Sequence, residues 1–340
     1  MESTAEAAWL IDTPNPTLPT HLLIIKDDPL YRGRFPHVRC VHDPFAPALN
    51  SILFERFDDI TTRMLCQSQV ADRIVTEVGQ VQVIILFLVD GLAYARVRTN
   101  FSKSNLAQPI RLEPCLVDVP TLTHIAFPNL IGDPSLAVRL FDVGFHHRLG
   151  FSYWTREDNT LTDRIFQGLP HVEKESQFSK ILETLRDFLT RLAEEKAFVQ
   201  ILRTGLDGYA HAQKRCPPVE AIVSDVWSEF CEVVAMCQSL RLATRLYLTA
   251  DHGILWRDEF EPEIVGIVPA SSSPRYSNWR ELYLQEEQGR RFVWEDEELY
   301  CLGFPKLRRP LHIDEQGVHG GISFQESVVP FVTVEVHPEE

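Results

Sequence analysis

Six side chains in this sequence combine metal-binding chemistry with local patterns that deliver them to one place. Asp90 closes the run VQVIILFLVDG at 81–91, Asp207 closes AFVQILRTGLDG at 197–208, and the pair Asp251 and His252 closes RLYLTADHG at 245–253. An apolar run ended by an acid and a glycine reads as a central strand whose last residue emerges at the carboxyl edge of a sheet. Open α/β sheets place their ligands at that edge. His211 follows Asp207 by four residues, one helical turn on, and His319 arrives on a Gly-Gly turn that permits close backbone approach. Three carboxylates and three imidazoles converging there mix hard oxygen with borderline nitrogen donors, the inventory of a two-metal site for zinc or manganese. Taken singly, an acid at a strand end is more often a helix cap or a solvated turn, and a lone histidine more often packs. The joint, ordered occurrence carries the reading.

The elements that must position these residues alternate. Helical signals at 176–195 and 217–240, the latter opened by two prolines, separate the three acid-tipped strands. The segment 120–132 predicts a helix with a threonine near its first turn. Residues 21–26 read as a short buried strand, 48–79 as helical, and 319–336 as turn, short helix and strand. This order predicts an α/β fold with a mostly parallel central sheet flanked by helices. Residues 1–80 are expected to form an N-terminal extension packed on a catalytic domain at 81–340, and the acidic, aromatic, irregular stretch at 254–318 reads as a cap insertion. Trp256, Trp279, Trp294, Tyr276, Tyr283 and Phe292, with Arg275, Arg290, Arg291, Arg308 and Arg309, could stack a base and hold a phosphate from this cap. The blander expectation is a cap with its own small aromatic core.

Composition narrows the function classes. The chain has 340 residues, 44% hydrophobic and 24% charged, enough for one large domain. Its longest apolar run, 83–89, falls far short of the roughly 20 residues of a membrane-spanning helix. With no basic leader before an apolar stretch, a cytoplasmic location is expected. The seven cysteines are scattered and odd in number, as expected of reduced thiols. With 48 acids against 33 bases the net charge is −15, which argues against tight binding of duplex DNA by the chain itself. A small anionic substrate or a short single strand escapes that penalty. No P-loop, dinucleotide fingerprint or helix-turn-helix signal is present.

In order, VDGL with Asp90, PTLT at 120–123, LDGYAH with Asp207 and His211, TADHG with Asp251 and His252, and HGGIS with His319 resemble the alkaline phosphatase and nucleotide pyrophosphatase superfamily. Within it, TADHG followed by HGGISFQESVVPFV is most similar to PglZ domains of bacterial phage-defence systems. The resemblance spans 81–336. It implies that Asp207, His211 and His319 hold one divalent cation, and that Asp90, Asp251 and His252 hold a second together with the oxygen of a threonine nucleophile, Thr123. Thr121 is the alternative nucleophile and is expected to cap or pack. The usual arginine after the first aspartate is replaced by Ala93, with Arg96 or Arg98 as substitutes. Aligning instead on Phe127-Pro128-Asn129 would put Ala126, which has no hydroxyl, at the nucleophile position. The implied activity is a zinc- or manganese-dependent phosphodiesterase acting on nucleotides or short nucleic acids, with defence-system proteins as partners. The alternatives are a phosphomonoesterase and a catalytically silent scaffold. A sulfatase is disfavoured, because Cys216-Pro217-Pro218-Val219-Glu220 carries Glu220 where an arginine is required and follows Asp207.

Overall fold

The computed structural model describes residues 47–338 except 63, 102–107, 154–162, 205, 212–213, 267, 270–271 and 279–287. The expected strand at 21–26, with Cys40, Trp279 and Tyr283, lies outside the described residues.

Eight strands form the central sheet: β1 (Leu65–Cys66), β2 (Val83–Val89), β3 (Ile110–Leu116), β4 (His147–Tyr153), β5 (Val172–Lys174), β6 (Ala197–Arg203), β7 (Thr244–Ala250) and β15 (Val328–Val336). Their spatial order is β1-β3-β15-β7-β2-β6-β4-β5. Every neighbouring pair is parallel except β15, which runs antiparallel to both β3 and β7. The fold is therefore α/β with a mostly parallel sheet, as the sequence predicts. All seven residues of β2, Val-Ile-Ile-Leu-Phe-Leu-Val, are buried. Each such side chain contributes about 1.5–3 kcal/mol on leaving water, which is why this strand occupies the middle.

Two groups of helices cover the sheet. One comprises α3 (Gln67–Thr76), α5 (Thr123–Ile131) and α6 (Leu136–Asp142); the other comprises α4 (Tyr94–Phe101), α7 (Phe178–Thr190) and α9 (Val219–Ser239). The remaining helices are α1 (Pro47–Glu55), α2 (Phe57–Thr61), α8 (Leu206–His211) and α10 (Phe324–Ser327). Helix α7 shows how the pattern works: Ile181, Leu185 and Leu189 recur at helical spacing and are its buried face. The sequence expectation of one helical stretch over 48–79 is corrected here. The chain breaks after α2 so that buried Leu65 and Cys66 pair with Cys115 and Leu116 and extend the sheet.

The segment 254–318 leaves and rejoins the sheet region through a narrow neck, where β8 (Leu255–Trp256) pairs antiparallel with β14 (Gly317–Val318). Between them lie a β9 (Glu263–Ile264) and β13 (Lys306–Leu307) pair and an antiparallel sheet of β10 (Tyr276–Asn278), β12 (Glu297–Leu302) and β11 (Gly289–Trp294). Leu299 packs with Leu122 and Ile125, so this small sheet rests on the start of α5. No helix among the described residues is long and apolar enough to cross a membrane.

Candidate metal centre

Strand register brings the first two carboxylates together. Val89, the last residue of β2, pairs with Ala250, the last of β7, so Asp90 and Asp251 leave the same edge side by side. On the other flank Val89 pairs with Arg203, the end of β6, and α8 then supplies Asp207 and His211. His319 follows β14, and its ring stacks on that of His252 with centroids 4.0 Å apart and planes 9° from parallel. All six residues singled out in the sequence thus meet at one edge, in two groups of three: Asp207, His211 and His319, and Asp90, Asp251 and His252.

The first group has ligand spacing. The Nε2 atoms of His211 and His319 are 3.1 Å apart, and Asp207 Oδ1 lies 3.1 Å from the former and 3.2 Å from the latter. Bonds of about 2.0–2.1 Å in a tetrahedral zinc site place ligand atoms about 3.3 Å apart, so one cation fits on these three atoms. His319 Nδ1 donates to the Thr121 carbonyl at 2.8 Å, which turns Nε2 toward the other two ligands.

The second group is more deeply enclosed. Asp90, Asp251 and His252 are at most 2% exposed. Asp251 Oδ1 accepts the backbone N–H groups of Gly91 at 3.0 Å and His252 at 2.9 Å. Its other oxygen Oδ2 and Asp90 Oδ1 are buried with no hydrogen-bond donor. Two buried carboxylate oxygens without donors, side by side, are what a cation would satisfy. His252 Nδ1 donates to the Gly253 carbonyl at 3.0 Å, so in the neutral ring Nε2 carries the lone pair. Nε2 sits 3.3 Å from Asp251 Oδ2 and 2.9 Å from Thr123 Oγ1.

Burial and close approach shift the ionisation of these groups in opposite directions. Burial, reinforced by Asp207 and Asp251, drives the Asp90 carboxyl well above the usual carboxylate range. Burial likewise raises Asp251 to about 7. Burial alone would raise Asp207 too, but the neighbouring His319 and His211 rings outweigh it and hold that carboxyl well below its ordinary value. Burial would lower His319; the Asp207 carboxylate reverses this and pushes the imidazole up to about 9. Burial holds His252 well below the ordinary histidine range, hence neutral.

Thr123 is the first residue of α5, and Thr121 lies in the preceding turn. The two threonines have different surroundings. Thr121 is fully buried; its hydroxyl donates to the Gly321 carbonyl at 3.1 Å and accepts the Gly320 N–H at 2.7 Å, clamping the His319 turn. Thr123 is half-buried and its hydroxyl faces His252. Ala126 is wholly buried in the main core.

Side chains that the motifs did not single out hold the loops. Gln67 Nε2 donates to the carbonyls of Ala250, at 2.8 Å, and Asp251. The carboxylate of Glu326 accepts the Gly321 N–H at 3.0 Å and the guanidinium of Arg275, and its backbone carbonyl accepts Gly253 N–H at 2.9 Å. The signal for Glu326 is a capping box, Ser323-x-x-Glu326, and Ser323 Oγ does accept Glu326 N–H at 3.1 Å. Gln67 carries no such signal. The basic residues expected to greet a phosphate are otherwise engaged: Arg96 with Glu220 and Glu259, Arg290 with Asp58, Arg291 with Glu298, Arg309 with Glu315, and Arg308 with the Tyr276 carbonyl at 2.6 Å. Of the aromatic residues in 254–318, Trp294 meets His124, the neighbour of Thr123, edge to face at 5.7 Å.

No protein-family model and no curated protein sequence matches the chain. Among solved structures it is similar to murine ectonucleotide pyrophosphatase/phosphodiesterase 5, solved as an inactive threonine-to-alanine variant in complex with AMP (TM-score 0.46, 11% identity, covering 76% of this chain and 88% of that one). It is also similar to phosphonoacetate hydrolase from Sinorhizobium meliloti 1021 in complex with phosphonoformate (TM-score 0.42, 14% identity, 76% and 92% covered). A third is the C-terminal periplasmic domain of phosphoethanolamine transferase EptC from Campylobacter jejuni (TM-score 0.40, 9% identity, 75% and 79% covered). These similar structures are members of the alkaline phosphatase and nucleotide pyrophosphatase superfamily.

Proposed function

We propose that this chain is a metal-dependent phosphoric ester hydrolase that cleaves nucleotide-type phosphodiesters with Thr123 as its nucleophile. The observation that carries the reading is the Thr123 hydroxyl, 2.9 Å from His252 Nε2 at the first residue of a nine-residue helix, beside the two groups of metal-type ligands. Asp207, His211 and His319 would hold one divalent cation; Asp90, Asp251, His252 and Thr123 Oγ1 would hold the second, zinc or manganese. When bound, these ions would acidify the threonine hydroxyl and a water and offset charge on the phosphoryl oxygens. The Thr123 Oγ1 then bonds to phosphorus as the bond to the leaving alkoxide breaks, and the proton lost by Thr123 leaves on that alcohol. The phosphothreonine is cleared by water, which returns a proton to Thr123. The N–H groups of Thr123 and His124, the first two of α5, precede its hydrogen-bonded turns, the first of which is Ile125 N–H to the Leu122 carbonyl at 2.9 Å, and suit an anionic phosphoryl group. Thr121 and Glu326 hold the ligand loops still while this happens.

Two cations bring four positive charges against three aspartates and a threonine alkoxide, so the site itself is near neutral. A diester, with one charge fewer than a monoester, suits such a site, and Trp294 with His124 offers aromatic surface beside the nucleophile for a base. The motif resemblance to PglZ domains supports a cytoplasmic role in bacterial phage defence with protein partners. The experiment is a comparison of a p-nitrophenyl nucleotide diester, the matching monoester and duplex DNA, with zinc or manganese, on the wild type and Thr123→Ala. The diester is expected to be hydrolysed at least tenfold faster than the monoester, and Thr123→Ala to be inert. A tenfold preference for the monoester would make the chain a phosphomonoesterase, and absence of hydrolysis with both metals would leave a binding scaffold.

A further inference from the structure

We infer that Arg275 and Glu326 form a positioning pair through which the cap fixes the relative placement of the two metal-ligand groups; this rests on the metal-centre reading above. Both side chains are fully buried, and their contact is bidentate: Arg275 Nε donates to Glu326 Oε1 at 2.9 Å and Nη2 to Oε2 at 2.6 Å. A fork-to-fork pair fixes orientation as well as distance. Arg275 belongs to the cap, just before β10, and its Nη1 also donates to the carbonyls of Gly303, at 3.1 Å, and Lys306. One guanidinium therefore gathers three stretches of chain.

Glu326 distributes that constraint to both ligand groups. Its Oε1 accepts the N–H of Gly321, two residues after His319 in the first group. Its backbone carbonyl accepts the N–H of Gly253, next to His252 in the second. Space around these contacts is exhausted. A Cβ on Gly321 would lie 2.4 Å from Arg275 Nη2, and a Cβ on Gly253 would lie 1.9 Å from the Gln325 carbonyl oxygen. The two glycines thus let the HGG turn close onto the Arg275 guanidinium and the DHG turn close onto the backbone of Gln325, the residue before Glu326. Neither Arg275 nor Glu326 is among the metal-type ligands, so their effect passes through His319 and His252. A bidentate arginine is not replaceable by lysine at full value, because an ammonium cannot present the planar fork.

The test uses the full chain and three variants, Glu326→Gln, Arg275→Lys and Arg275→Met, with Leu185→Ala as a control that destabilises the core away from the site. Zinc binding to chelator-treated protein is measured by calorimetry, and amide exchange at Gly253 and Gly321 by NMR or mass spectrometry before metal is added. The expected result is at least a tenfold weaker zinc dissociation constant in Glu326→Gln and Arg275→Met, a smaller loss in Arg275→Lys, and faster exchange at both glycines. In turnover, kcat falls at least tenfold with KM within twofold. Leu185→Ala keeps wild-type zinc affinity. Unchanged zinc affinity in folded Glu326→Gln or Arg275→Lys, or equal loss in Leu185→Ala, overturns the inference. A wild type that takes up no zinc or manganese overturns the metal-centre reading instead.

Discussion

At the residue scale, the chain separates two threonines that a motif alone leaves interchangeable. Replacing Thr123 with alanine removes the hydroxyl facing His252 and touches no structural hydrogen bond of the loop. Turnover of a nucleotide diester by Thr123→Ala is expected to fall at least a thousandfold while circular dichroism and thermal melting stay near wild type. Thr121→Val acts in the opposite way. It strips the buried partner from the Gly320 N–H and the Gly321 carbonyl. A loss of about 1–3 kcal/mol in denaturant unfolding is expected, with partial activity retained. If Thr121→Val is the inert variant, the nucleophile assignment fails. Five of the six carboxylate and imidazole residues of the candidate metal centre were legible because each ends an apolar run or sits on glycines, and His211 because it follows Asp207 by one helical turn. Glu326 and Gln67 were not, because their partners lie across the fold: Gln67 reaches the carbonyl of Ala250 and Glu326 takes the guanidinium of Arg275.

At the element scale, the glycines inside the motifs divide by what surrounds them. Gly253 has backbone where a side chain would go, the Gln325 carbonyl. Gly253→Ala must push α10 away from β7, and a loss of about 1–3 kcal/mol with weakened zinc binding is expected in unfolding and metal titrations. Gly208, in the middle of α8, has nothing within 4 Å of the place a Cβ would take. Gly208→Ala is expected to gain up to about 1 kcal/mol and to keep its activity. The same contrast explains which elements sequence reading found. β2, β6 and β7 are nearly continuous apolar runs and announce themselves. β3, Ile-Arg-Leu-Glu-Pro-Cys-Leu, and β4, His-Arg-Leu-Gly-Phe-Ser-Tyr, mix charge with apolar residues and are recognisable as strands only beside their partners. β1 is two residues long and exists because β3 offers it an edge.

At the scale of the whole molecule, the candidate metal centre gathers three buried or half-buried aspartates at the carboxyl edge of the sheet's central strands. If the proposed cations are bound, removing them would leave Asp90 and Asp251 buried beside each other and close to Asp207. Chelator treatment is expected to lower the melting temperature by several degrees, and zinc at a hundred times its dissociation constant to restore about 2.7 kcal/mol. A melting curve indifferent to chelator and zinc would contradict this. The net charge of −15 adds a second expectation at this scale: duplex DNA should not be retained at physiological salt in a filter-binding or gel-shift assay. The placement of β15 has a consequence for how the molecule is made. This strand is inserted between β3 and β7, and it follows both of them, and His319, in chain order. During synthesis β2, β6 and β7 can pair as they emerge, but β1 and β3 have no neighbour to join them to that group until 328–336 arrive. His319 and the strand that closes the sheet thus leave the ribosome nearly together, so a nascent chain halted before them holds an open β7 edge and lacks the last member of the Asp207, His211 and His319 group. On the proposed reading, metal capture by that group would follow translation of nearly the whole described chain, when the sheet has just been completed.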